Sequence, residues 1–318
     1  MKRVVTGGEL TQAAMRPPDL VDAYLACVER DIRRFGLSNG GRVRGCPACG
    51  AGDGDVAVRR MGFTFRSCTG CRSLFVSPVP DEQQLARYRT EGEAERFRRE
   101  QVLPATADVR ARHAWAPRAQ WVLSTAAARL GAGLTCLHLG PPVPELRSLL
   151  LRSRSIVAAL GDLESDDTPS DGHAVLAFDV LERTVDLSET LHRCRTALRP
   201  GGLLFITTMS GEGFEVRVLR GRTRSLVPPN HLQLLSRAGW QAALAREHFR
   251  LVEYSTPGEL DVQEVAEVCH RDPDITLPPI VDELVRHDDD EVRHAFQEVL
   301  QQAGMSAHVQ LVAEALDE

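Results

Sequence analysis

The sequence predicts an α/β protein in which a largely parallel sheet follows a small metal-binding module and a set of helices. Three observations predict it. Residues 173–208 read as strand, helix, strand: an apolar run at Ala174 to Phe178, then Leu187, Leu191, Cys194 and Leu198 at helical spacing, then a continuous apolar and β-branched run from Leu203 to Thr208. Such continuous runs suit strands buried on both faces of a parallel sheet. Two cysteine pairs, Cys46-Pro-Ala-Cys49 and Cys68-Thr-Gly-Cys71, have the spacing of a four-thiolate zinc site. Between Gly140 and Ala174 there is room for a helix at 145–152, a single strand at 156–160 and a polar loop at 161–172. That is one βα unit and a polar loop, as in part of a doubly wound, Rossmann-like sheet.

With 318 residues, 43% hydrophobic and 26% charged, the chain has the composition of a soluble globular protein. No apolar run approaches the roughly 20 residues that span a bilayer. The start, MKRVVTGGEL, lacks the apolar centre of a signal peptide, so a cytoplasmic protein with no membrane contact is expected. Residues 1–120 hold 20 basic against 14 acidic side chains, and the remainder 18 against 30. The acidic C-terminal part argues against a long phosphate-backbone contact, which needs basic stripes.

Four segments follow. Residues 1–45 form an N-terminal helical segment, with Pro17-Pro18 starting a helix whose apolar face is Leu20, Val21, Tyr24, Leu25, Val28 and Ile32. Residues 46–80 form the zinc ribbon. Two residues between thiolates let both sulfurs of a pair reach one ion, and four thiolates leave no open position, so Cys46, Cys49, Cys68 and Cys71 hold a structural rather than a catalytic zinc. Disulfides or a redox pair are the competing readings; a cytoplasmic setting and the absence of a surrounding βαβ pattern oppose them. Residues 81–130 form a helical linker or cap that begins at Asp81 and packs through Trp115, Trp121, Val122 and Leu130; residues 131–318 carry the sheet. Arg199-Pro-Gly-Gly202 stops the helix of the βαβ unit, residues 235–247 form another helix, and His308 to Ala313 forms the last strand.

The stretch AFDVLE, followed by LRPGGLLFITT, resembles the fourth and fifth strands of class I S-adenosylmethionine (SAM) dependent methyltransferases. GEGFEVRVLRGRTRSLVPPNHLQLLS, STPGELDV and LQQAGMSAHVQLVA extend the resemblance to a bacterial subfamily with an N-terminal four-cysteine zinc ribbon, over most of residues 40–318. The resemblance implies SAM as cofactor and a small-molecule substrate. A complete fold of that class has two strands and an intervening helix between Gly140 and Ala174, so the resemblance implies a Rossmann-like methyltransferase sheet lacking one βα unit. It also predicts a loop like V-L-D-x-G-x-G-x-G at 134–144. The chain keeps Gly140 but places Pro142 and Pro144 at the later glycines, and His138 where an acidic residue usually sits. Glycines there let backbone N–H groups approach the cofactor, whereas proline removes the donor. The cofactor site therefore reads as degenerate, with Gly140, His138, Asp162 (or Glu164) and Asp179 as cofactor contacts.

Asp179, Glu182 and His231 are the catalytic candidates, expected to face one crevice at the carboxyl ends of the strands. Arg217, Arg220, Arg222 and Arg224 either grip an anionic substrate or form a solvated loop, and Glu259 and Asp261 are placed to reach the crevice. Three functions are compatible. A SAM-independent role (a repurposed enzyme, a pseudo-methyltransferase or a scaffold for a partner protein) is favoured by the altered loop. An active small-molecule methyltransferase is the alternative. An RNA-modifying enzyme ranks third, because Phe63, Phe65 and Phe75 suit the ribbon core better than base stacking.

Overall fold

A computed structural model describes residues 10–52, 54–153, 156–162 and 171–317, with the backbone alone for 157–162. Among the described residues ten strands form two sheets. β1 (Asp55–Arg60), β2 (Phe63–Ser67) and β3 (Leu74–Val76) make an antiparallel ribbon. β4 (Leu134–Leu139), β5 (Ile156–Asp162), β6 (Gly172–Phe178) and β7 (Leu198–Met209) are mutually parallel, and β10 (His308–Ala315) runs antiparallel between β7 and β9 (Phe249–Ser255), in the order β5-β4-β6-β7-β10-β9. Among the described residues β5 is the edge, and from its end at Asp162 to Gly172 the sequence is too short for a further strand with its crossover helix. Among the described residues this order resembles the Rossmann-like methyltransferase sheet with one βα unit missing, as the resemblance implied.

The strands form where the apolar runs are. Leu204, Phe205 and Ile206 of β7 and Val175, Leu176 and Ala177 of β6 are fully buried between helical layers. Burying a side chain of this size stabilises the fold by roughly 1.5–3 kcal/mol. One expectation fails locally. Arg199 to Gly202 is not a separate turn; the helix Leu187–Thr196 stops earlier and the segment already belongs to β7. The Gly172 N–H donates to the Ala197 carbonyl (2.9 Å) and Gly172 pairs with Leu198, so the chain is captured by β6 before the proline.

The ribbon is not a free appendage. Its sheet gains a fourth strand, β8 (Gln233–Leu234), from far along the chain, with Leu74 opposite Leu234 and Phe75 opposite Gln233. Arg44 rivets the junction: its guanidinium donates to the carbonyls of Val76 (3.0 Å), Val185 (2.9 Å) and Leu232 (2.8 Å) and to Gln233 Oε1 (3.0 Å). Trp240, on the helix Arg237–Arg246, lies in one apolar cluster with Cys46, Ala48, Cys68 and Cys71 and with the core of the larger sheet.

The helix Pro18–Phe35 buries Cys27, Val28, Ile32 and Phe35, and Gly36 ends it in the left-handed conformation. Asp81 caps the helix Glu82–Glu91 by accepting from the Gln83 N–H at 2.8 Å. That helix ends at Gly92, where the backbone turns extended against Tyr88 and Asp31. Among the described residues no helix is long and apolar enough to cross a membrane.

Candidate functional site

In open α/β sheets ligands bind beyond the carboxyl ends of the strands where the strand order reverses. Here that point lies between β4 and β6. After β4, the buried His138 donates through Nδ1–H to the Gly140 carbonyl (3.1 Å), and Gly140 has φ +96°. A Cβ at Gly140 would stand 2.8 Å from Val180 Cγ2, so the loops after β4 and β6 touch at this glycine.

After β6 comes Asp179, held at φ +54°. Its N–H donates to the Thr207 carbonyl (2.8 Å), Thr207 Oγ1 donates to Oδ1 (2.9 Å), and the Arg118 guanidinium pairs with Oδ2 at 2.8 Å. Its side chain keeps 45% of its surface exposed, whereas that of Arg118 keeps 8% and lies against Trp115 and Phe178. Burial works to raise the Asp179 pKa, but Arg118, with help from His308 and Thr207, holds it down at about 2. Asp179 is therefore a fixed anion at the switch point.

Glu182 is placed otherwise. It is buried, its Oε2 accepts from Thr208 Oγ1 (2.9 Å), and its carbonyl accepts from the Leu232 N–H (2.7 Å). Burial and the Asp179 charge push its pKa up to about 8, so it keeps its proton at neutral pH. It braces the tips of β6 and β7 against the strand that completes the ribbon. His231, next to the Leu232 that Glu182 holds, is half-buried, with Nδ1 3.1 Å from the Val227 N–H and 3.2 Å from the Val227 carbonyl. Burial lowers its pKa to about 4, and His308, at the start of β10, is lowered to about 4 for the same reason. Asp179 is held by Thr207 and Glu182 by Thr208, His308 pairs with Met209 next along β7, and His231 adjoins the Leu232 that Glu182 holds, so Asp179, Glu182, His231 and His308 share one neighbourhood.

These shifts set a pH dependence. Glu182 and Glu215, the latter also raised to about 8 by burial, bind their protons more tightly folded than unfolded. Their contribution is complete below the ordinary value of about 4.3 and is lost as pH rises towards 8. His231 and His308 resist protonation in the fold, so their contribution is lost as pH falls from about 6.5 to 4. Between about pH 4.5 and 6.5 the two glutamates and the two histidines offset one another, so thermal unfolding is expected to show a broad plateau there and a fall above it, with Glu182→Gln flattening that alkaline limb. An alkaline limb unchanged by that substitution would rule out the buried proton on Glu182.

The four cysteines converge as the spacing requires. Their sulfurs lie within 4.8 Å of one another, with Cys46–Cys71 and Cys49–Cys68 at 3.5 Å. A tetrahedron with Zn–S near 2.3 Å has sulfurs about 3.8 Å apart, whereas a disulfide needs about 2.05 Å. The cluster therefore fits a zinc ribbon.

Other candidates fall elsewhere. The Arg222 guanidinium pairs with Asp272 (2.8 Å) and Arg224 with Asp22 (2.6 Å), stitching their loop to neighbouring helices, while Arg217 and Arg220 are exposed. Asp261 is buried and accepts from Ser306 Oγ (2.6 Å) and the Ala307 N–H (2.7 Å), so it anchors the approach to β10 and does not reach the crevice. The backbone of Asp162 ends β5 opposite His138; its side chain, and Glu164 altogether, lie outside the described residues. Sequence reasoning missed Arg118, Thr207 and His308. It also missed the network of Asn230, which bonds Tyr24 Oη (2.9 Å) while accepting from Arg183 (2.9 Å). A histidine at the first residue of the last strand was the one readable signal among them.

No family model matches the chain. Curated ubiquinone biosynthesis O-methyltransferases of Xanthomonas campestris pv. campestris and Xanthomonas oryzae pv. oryzae are 32% identical to it over 94 residues, which is 28% of this chain and 39% of theirs. The chain thus spans well under half the length of the curated relatives it matches. A solved Burkholderia thailandensis 1,6-didemethyltoxoflavin-N1-methyltransferase, holding its substrate and S-adenosylhomocysteine, is 13% identical over 80% of this chain and 96% of its own, with a TM-score of 0.42. That last likeness is too distant to bear on chemistry. Strand order and curated relatives point the same way: the chain resembles the class I SAM-dependent methyltransferases.

Proposed function

We propose that this protein transfers a methyl group from SAM to a small molecule, with zinc on Cys46, Cys49, Cys68 and Cys71 serving structure alone. The observation that carries the reading is the ionised Asp179 at the switch point, beside the Gly140 turn. SAM is cationic at sulfur and at its amino group, and a fixed carboxylate at the mouth of β6 is a complementary charge. The Gly140-Pro-Pro-Val-Pro144 turn offers amide donors only at Gly140 and Val143, so charge at Asp179 must carry more of the binding than the loop does. The relatives' shared 94 residues support methyl transfer, and the preference for a SAM-independent role finds no support in them.

Bound there, SAM would supply the methyl group, and the remaining work falls to this chain. Asp179 stays charged because Arg118 and Thr207 hold it. His231 is neutral at pH 7 and fixed through Nδ1, so its role is to orient the acceptor by hydrogen bonding; at a pKa of about 4 it is a weak base. Glu182 positions the loop that carries His231, since its carbonyl holds Leu232. Calorimetric titration of zinc-replete protein with SAM and S-adenosylhomocysteine tests the reading, and micromolar binding of both is the expected result. No heat and no thermal shift at millimolar ligand would remove methyl transfer.

A further inference from the structure

The helices covering the site contain two π-helical turns, Arg98–Val102 and Ala111–Trp115. Such turns are rare and cluster at functional sites, and each accommodates one extra residue. They change which side chains share a face. At about 100° per residue, Arg98, Arg110 and Arg118 in a regular helix would stand about 120° and 80° apart. The extra residue in each π turn brings every step to within about 20° of alignment. Hydrogen bonds carry the helix through the bend at Thr106, from the Thr106 N–H to Val102 (3.1 Å) and from the Arg110 N–H to Thr106 (2.9 Å). Three guanidinium groups therefore line one face, and Arg118 shows where that face points: onto Asp179.

A fourth, Arg16, arrives from the N-terminal segment, whose short helix Gln12–Met15 packs against Ala107–Arg110. Three of the four have carboxylate partners: Arg118 with Asp179 (2.8 Å), Arg98 with Glu95 (3.1 Å) and Arg16 with Glu264 (3.6 Å). Arg110 makes no ion pair among the described residues. It is half-buried, and its Nε donates to Oγ1 of the fully buried Thr106 (2.8 Å), which fixes its direction and leaves the rest of the fork unassigned. Burial and the charges of Arg16, Arg98 and Arg118 lower its pKa to about 10, against the opposing charge of Asp179. An arrangement of this kind is costly unless something anionic completes it.

We infer that Arg110, flanked by Arg98 and Arg16, is a receptor for one oxyanion, a carboxylate or phosphate, borne by the small molecule that enters beside Asp179. The inference rests on the methyl-transfer reading only in naming that molecule the methyl acceptor. The guanidinium fork matches either oxyanion with two parallel N–H donors.

The test titrates sodium phosphate and, separately, sodium acetate into the full-length zinc-loaded protein against sodium chloride of equal ionic strength. Binding is read by calorimetry and by thermal shift in wild type, Arg110→Met and Arg110→Lys, and the better-bound anion identifies the source. Wild type is expected to bind at least one of the two, Arg110→Met to lose about tenfold in affinity, and Arg110→Lys to fall between, since an ammonium keeps the charge without the fork. Equal affinity in wild type and Arg110→Met, or no anion binding by wild type, overturns the proposal. If Arg110→Met fails to fold, the lysine variant decides, because unchanged affinity there sinks the forked site. S-adenosylhomocysteine titrated in parallel separates the two readings. Its failure to bind wild type, with anion binding intact, ends methyl transfer and leaves the oxyanion site standing.

Discussion

Stripping zinc from the protein, or replacing Cys71 by serine, is expected to lower the melting temperature of the whole chain in a single transition. A ribbon joined by a linker would melt by itself. This one shares a sheet with the larger domain through β3 and β8, and the Val76 N–H donates to the Leu232 carbonyl at 2.8 Å. Ser73, two residues after Cys71, accepts from the Ser236 N–H (3.1 Å), and Ser236 caps the helix that carries Trp240. The zinc knuckles and Trp240 sit in one apolar cluster with Leu204, Ile206 and Leu311 of the larger sheet. Structural zinc sites contribute about 10–16 kcal/mol of binding free energy in isolated fingers. Whole domains are stable by only about 5–15 kcal/mol, so loss of the metal is expected to unfold the chain near room temperature. Metal analysis should find about one zinc per chain before stripping and none bound tightly by Cys71→Ser. Two separate melting transitions, or a Cys71→Ser protein that keeps both zinc and wild-type stability, would show that the four sulfurs do not hold a metal or that the metal does not brace the fold.

Asp179→Asn is expected to separate SAM from S-adenosylhomocysteine. Asparagine tolerates the positive φ and still accepts from Thr207, so the substitution removes charge and little else. The sulfonium is the charge that SAM has and its demethylated product lacks. A carboxylate facing it should therefore weaken SAM by about tenfold when neutralised, and the product by less. Stability should also fall, because the buried Arg118 loses its counter-charge. Breaking a fully buried pair costs about 3–5 kcal/mol, and the half-exposed carboxylate reduces this to about 2 kcal/mol. The melting curve and the two affinities thus read different consequences of one atom pair. Equal weakening of both ligands would place Asp179 away from the sulfonium and reduce it to the partner of Arg118.

The histidine and carboxylate candidates divide along the same line. Asp179 was legible because an acidic residue directly after a buried parallel strand must emerge at its carboxyl end. Glu182 was legible as part of that loop, but its fate was not: whether it opens into the crevice or turns inward to Thr208 depends on β7, some twenty-six residues later. His231 was found by its place near a loop end. Its low basicity comes from burial under segments that no local pattern describes.

By itself the sequence determined what short-range pattern controls. The knuckles follow from two-residue spacing, the parallel strands from continuous apolar runs, and the missing βα unit from the residues between Gly140 and Ala174 set against the fold that the resemblance implies. The tertiary structure decided the rest. It recruited β8 to the ribbon, because a two-residue strand has no periodicity to detect. It turned Arg222 and Arg224 away from any ligand by pairing them with Asp272 and Asp22. It also rotated Arg98, Arg110 and Arg118 onto one face, because π turns break the 3.6-residue repeat on which any reading of helix faces depends.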